Sequence, residues 1–155
     1  MYNNNQGPRY HNNNRGAGHP DKPKQDLAPA VKIGDFYEDG KIKGELFGKT
    51  AEQIAESFVG ISGTQLRRIF DEVKRFEHII TQENWGDNYP YIVMIKSKTR
   101  YAVARATKNR IEGAYKNLYD FIADGISLIK EEKDYHVFLA LFEAVYGFCY
   151  EKLRK

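Results

Sequence analysis

Four cations and no acid lie between Pro90 and Ala106: Lys96, Lys98, Arg100 and Arg105. Ammonium and guanidinium groups stay charged at neutral pH, so the chemistry they offer is phosphate neutralisation rather than bond making. A second set precedes them. Arg67 and Lys74 stand seven residues apart, as do Arg68 and Arg75. Seven residues are two helical turns, about 10 Å along the axis, so each row can reach non-adjacent phosphates of one strand. Lys108 and Arg110 follow, singled out by local charge alone. The plainer account of these cations is a solvated, salt-bridged surface. Asp71 is spaced to pair with Arg67, Lys74 and Arg75 through i±3 and i±4 contacts of about 0.2–0.5 kcal/mol each, weak enough for a phosphate to displace.

Groups suited to catalysis or metal binding do not assemble into a pattern. Of the histidines, His11 and His19 lie in a polar N-terminal tract, and His78 and His136 have no cysteine or acidic ligand spacing around them. Asp71, Glu72 and Glu77 share a segment with arginines, which favours surface pairing over an acid–base couple. Glu131, Glu132 and Asp134 fit a solvated turn and helix cap better than a metal site. Phosphate-binding Gly loops, a dinucleotide fingerprint and a Gly-x-Ser-x-Gly elbow are missing from the sequence. No catalytic residue, metal or cofactor is therefore expected. Cys149 is the only cysteine. It excludes an intrachain disulfide and a cysteine-rich zinc site, and reads as a buried small hydrophobe.

The elements that carry the cations are helices. At 100° per residue, Tyr91, Ile92, Ile95, Thr99, Ala102, Val103 and Ala106 fall on one face. Lys96 and Arg100 flank that face on one side, Lys98 and Arg105 on the other. The remaining arc, Val93, Met94, Tyr101 and Ala104, is unusually apolar for a solvent face. Pro90 is expected to close a loop over 81–90 and to start this helix at Tyr91. Trp85, in that loop, is expected to cap the core. The preceding helix opens at Ser62, with Gln65 completing a capping box and Ile61 stapling against Leu66. Its apolar stripe runs Leu66, Ile69, Phe70, Val73, Phe76 and Ile80. Other helices are expected over about 51–59 (capped by Thr50 and Gln53), 109–130 and 135–153 (capped by Asp134). Gly125 lies inside one of them, at a cost of about 1 kcal/mol relative to Ala.

These spacings predict an all-α bundle of about five helices over 50–155. Residues 1–49 are expected to form a disordered Asn/Gly-rich tail and an irregular segment that docks on the domain or a partner. A chain of 155 residues accommodates one domain. Charge is uneven: residues 62–110 carry ten Lys/Arg against five Asp/Glu, whereas residues 111–155 carry six against eight. One half is basic and the other mildly acidic, as suits a polyanion face and a protein face. No apolar run approaches the roughly 20 residues that span a bilayer, and the N-terminus is polar. A soluble, cytoplasmic protein is expected.

Three blocks carry a resemblance. Ile61-Ser-Gly-Thr-Gln-Leu-Arg-Arg-Ile-Phe-Asp-Glu-Val-Lys-Arg75, the stretch Tyr91 to Arg105, and Phe138-Leu-Ala-Leu-Phe-Glu-Ala-Val-Tyr-Gly-Phe148 resemble, in that order, the small helical subunit of the Csm complex, the type III-A CRISPR effector of antiviral defence. They cover about 60–150. The resemblance implies a non-catalytic RNA-binding subunit. Its copies would stack on one another, against the backbone and large subunits, and stabilise the guide RNA–target RNA duplex without reading sequence. Carried over by position, Arg67, Arg68, Lys74, Arg75, Lys96, Lys98, Arg100 and Arg105 are the candidates for that contact. Two readings from other classes stand beside it. One is a small helical nuclease. The other is a helix-turn-helix DNA-binding regulator that uses Gly60-Ile-Ser-Gly63 as its turn.

Overall fold

The computed structural model describes residues 27–153. The expected disordered tail lies outside these residues, apart from its junction with the segment that follows.

Five α-helices dominate: α1 (Ala51–Glu56), α2 (Gly63–Lys74), α3 (Trp85–Ala106), α4 (Gly113–Leu128) and α5 (Glu132–Leu153). Helix α5 packs on α1 and α2, while α3 packs between α2 and α4. Phenylalanines tie the centre together. The Phe121 ring of α4 lies 5.4 Å from Phe138 and 5.3 Å from Phe142 of α5, and Phe70 of α2 meets Phe142 edge-on at 5.2 Å. Gly125 belongs to this contact. A methyl group at that position would overlap the Phe138 ring, so the glycine is a packing residue and not merely a weak helix former.

The segment before α1 is built into the core. Ile33, Phe36 and Leu46 are buried with the helical residues. Two strands that the periodicity did not reveal, β1 (Tyr37–Glu38) and β2 (Lys41–Ile42), pair antiparallel around Asp39-Gly40. Both turn residues have positive φ, 52° and 75°, as a two-residue type I′ hairpin requires. A π-helical turn, Leu46–Thr50, then feeds α1. Thr50 is therefore already in the helical region and makes no side-chain cap, so the box expected with Gln53 does not form.

Helix α2 starts as expected: the Ser62 hydroxyl accepts the Gln65 backbone N–H at 3.4 Å. It ends sooner, at Lys74, but the turn that follows still buries Phe76 and Ile80. Helix α3 differs most. Pro90 does not end a loop; it sits inside a helix that starts at Trp85. Just before that start, Thr81 and Asn84 exchange hydrogen bonds, N–H to Oδ1 at 2.7 Å and N–H to Oγ1 at 3.3 Å. Pro90 is exposed, so water can serve the Gly86 carbonyl that its missing N–H leaves unmatched. Trp85 does reach the core edge and donates its indole N–H to the Lys130 carbonyl at 3.2 Å.

The α3–α4 link is longer than expected, and α4 begins at Gly113 rather than near 109. Asn109 N–H bonds back to the Ala104 carbonyl at 2.7 Å and Lys108 is left-handed, φ 52°. That pattern is a Schellman stop in which lysine occupies the place usually taken by glycine. Asp134 lies in the first turn of α5, not before it. From there one carboxylate oxygen accepts the N–H groups of Lys130 and Glu131, both at 3.0 Å, and the other accepts the Tyr37 hydroxyl at 2.8 Å. Cys149 is buried, as expected.

Candidate nucleic-acid interface

Helix α3 buries Ile92, Ile95, Thr99 and Val103. Tyr91 and Ala106, expected on the same face, are exposed. Tyr91 lies at the margin of the buried arc, and Ala106 sits in the last turn, where the space between α3 and α2 opens. The cations divide about the buried face as the helical angle predicts. Lys98 and Arg105 turn toward α2 and share a groove there with Arg68. Lys96 and Arg100 lie on the α4 side, where the Arg100 guanidinium sits 5.1 Å from the centre of the Tyr119 ring.

The α2–α3 groove has a volume of about 410 Å³. Ile69 and Thr99, both nearly inaccessible, form its floor. Ala102 and Ala106 keep it open because neither projects beyond a methyl group. Gln65 and Glu72 of α2 supply polar edges. Tyr101 stands on the rim with 64% of its surface exposed. Its hydroxyl accepts a long hydrogen bond from Arg105, 3.4 Å, and the same guanidinium lies 5.6 Å from the ring centre. These contacts hold ring and cation together at i and i+4.

Ion pairing separates the ten candidates. Arg67 meets Asp71 at 3.7 Å, and Arg75 meets Glu72 at 3.9 Å. Lys98 also meets Glu72, at 3.3 Å, and Lys74 turns to Glu143 of α5 at 3.2 Å and Glu77 at 3.9 Å. Asp71 therefore pairs with one of the three cations that its spacing allowed. Arg68, Lys96, Arg100, Arg105, Lys108 and Arg110 have no carboxylate within 4 Å among the described residues. Lys74 is thus drawn away from the groove, toward the acidic side of α5. The pairing of Glu72 with Lys98 and of Glu143 with Lys74 was not legible from spacing, because each joins two helices.

The back of α3 is apolar and open, with Val93 at 42% and Met94 at 45% exposure. The two described histidines stand apart from the groove: His78 is 3.7 Å from Glu77, and His136 is 3.1 Å from Glu132. No group of three or more His, Cys, Asp or Glu side chains suited to a metal ion occurs among the described residues. No helix there is long and apolar enough to cross a membrane.

Fold and groove together define a small, mainly helical protein whose second and third helices carry uncompensated cations. A family model described as Csm2 Type III-A matches residues 41–152, and the chain belongs to that family. It is a small subunit of the type III-A CRISPR complex, from a family of structural subunits. All three blocks that carried the resemblance fall inside the match. No curated protein and no solved structure matches the chain.

Proposed function

We propose that this subunit binds RNA through phosphates, without reading base sequence, and does no chemistry of its own. One observation carries the reading. Arg68, Lys96, Arg100 and Arg105 present charge on α2 and α3 that no carboxylate of the described residues neutralises. Arg68 and Arg105 share the groove with Lys98, and Lys108 and Arg110 extend the charge past the end of α3. Lys96 to Arg105 covers about 14 Å of helix, long enough to reach more than one phosphate.

The phosphate contribution to affinity is indifferent to sequence. One subunit alone would bind weakly and gain by lining up with copies of itself along the guide RNA–target RNA duplex. The exposed apolar back of α3 supports contacts with a neighbouring copy or with the backbone and large subunits. The helix-turn-helix alternative is less well supported, because α1 has only six residues and α2 is flanked by α3 and α5. Cytoplasmic placement and the lack of a cofactor belong to the same proposal.

The test is binding of the purified protein to two unrelated RNA sequences. Reversing Lys96, Arg100 and Arg105 to Glu should weaken both equally. A large loss for one sequence only would sink the proposal. Turnover of RNA that disappears on replacing His78 or His136 would restore the nuclease reading.

A further inference from the structure

We infer that the α2–α3 groove holds a single unstacked nucleotide, base included, and is more than a track for phosphates. This inference rests on the RNA-binding reading and deepens it. A surface that only neutralises a backbone needs no aromatic rim and no space deep enough for a base. Here the cations border a concavity of about 410 Å³, within the roughly 300–1,000 Å³ of small-molecule sites.

The lining matches the parts of a nucleotide. Arg68 and Arg105 supply charge for one phosphate, and neither is engaged by a carboxylate among the described residues. Tyr101 offers an aromatic ring that is largely exposed yet held by Arg105, so little side-chain freedom remains to be lost on stacking. Gln65 both donates and accepts, so its amide can meet the edge of any base. Ala102 and Ala106 leave the depth that a planar ring requires. Glu72 sits at the far edge, where Lys98 and Arg75 hold its carboxylate away from an incoming phosphate.

Nucleoside monophosphates and short RNAs are the probes, with amide chemical shifts of the full chain as the readout. The inference predicts that a nucleoside monophosphate moves the amides of Gln65, Arg68 and Arg105 and binds more tightly than inorganic phosphate. Tyr101→Ala should weaken the nucleotide by about tenfold, the loss expected of one stacking contact, and so narrow its advantage over inorganic phosphate. Ala106→Leu fills the groove from an exposed position, keeps every cation, and should abolish nucleotide binding. Nucleotide affinity no better than that of inorganic phosphate, or unchanged by Ala106→Leu, would overturn the inference.

RNA arms identify the source of the nucleotide. If it is part of a strand, Ala106→Leu weakens single-stranded RNA and spares fully paired duplex. If it is a free nucleotide, both RNAs are spared. Should the unmodified protein bind neither RNA, the RNA reading fails, while the nucleotide titration still decides the pocket.

Discussion

Lys98 of α3 reaches across the groove to Glu72 of α2, its Nζ 3.3 Å from Oε2. The same oxygen takes Arg75 at 3.9 Å. One acid thus holds two cations of the basic face. Both side chains of the Lys98–Glu72 pair are more than a third exposed, so the pair adds at most a few tenths of a kcal/mol to stability. Glu72→Gln should leave the melting temperature nearly unchanged. It should tighten RNA binding by about twofold to tenfold and steepen the salt dependence by about 1.4, as two more cations become available to phosphates. Titrations at several salt concentrations check this.

Gly125→Ala sets two effects against each other. Helix propensity favours alanine by about 1 kcal/mol. The added methyl would collide with the Phe138 ring in the middle of the aromatic cluster, and overpacking of that kind costs about 1–3 kcal/mol. Because Phe138 is fully buried and also contacts Phe36 and Phe142, it has little room to give way. The net outcome should be destabilisation, read as a lower denaturant midpoint.

How far the sequence revealed this structure depended on whether the deciding partner was near in the chain. Ser62 capping α2, the buried stripe of α3 and the division of Lys96 and Arg100 from Lys98 and Arg105 all follow from helical angle and local hydrogen bonding. Local rules misled at Pro90. Its bias against a helix before it was outweighed by the Thr81–Asn84 exchange that starts α3 earlier. The Asp39-Gly40 turn was a local signal that went unread amid scattered apolar residues. Tertiary partners were illegible: Glu143 for Lys74, Phe138 for Gly125, and the pairing of α2 with α3 that makes a groove from two basic helices.

Tyr37 and Asp134 join the β-hairpin to the start of α5. Burial first, and then the hydrogen bond to the Asp134 carboxylate, push the Tyr37 hydroxyl up from 10.0 to about 12. Tyr135, buried and donating to the Val73 carbonyl at 2.6 Å, is raised as well. A group that holds its proton more tightly when folded stabilises the fold fully below its unfolded value. That contribution fades as pH climbs from about 10 to about 12. Stability should therefore fall across this window, and Tyr37→Phe should fall less steeply. Denaturation series at pH 9 to 12 provide the check.

Removing the Asp134 carboxylate has a different expected result. Asp134→Ala strands the N–H groups of Lys130 and Glu131 at the start of α5 and the Tyr37 hydroxyl at its side. The cost should be about 1–3 kcal/mol, measured by chemical denaturation at neutral pH. RNA affinity should not change, because this corner of the fold contributes nothing to the α2–α3 groove.

The salt dependence of binding to single-stranded RNA tests the central claim most directly. If about four cations meet phosphates, log K falls with log salt at a slope near −3. Neutralising three of the four uncompensated cations of α2 and α3 with Arg68→Gln, Lys96→Gln and Arg105→Gln should flatten that slope by about 2. Lys74→Gln, whose cation is held by Glu143 on the α5 side, should leave it unaltered. An unmodified protein whose affinity ignores salt, or a triple variant with the original slope, would contradict the account.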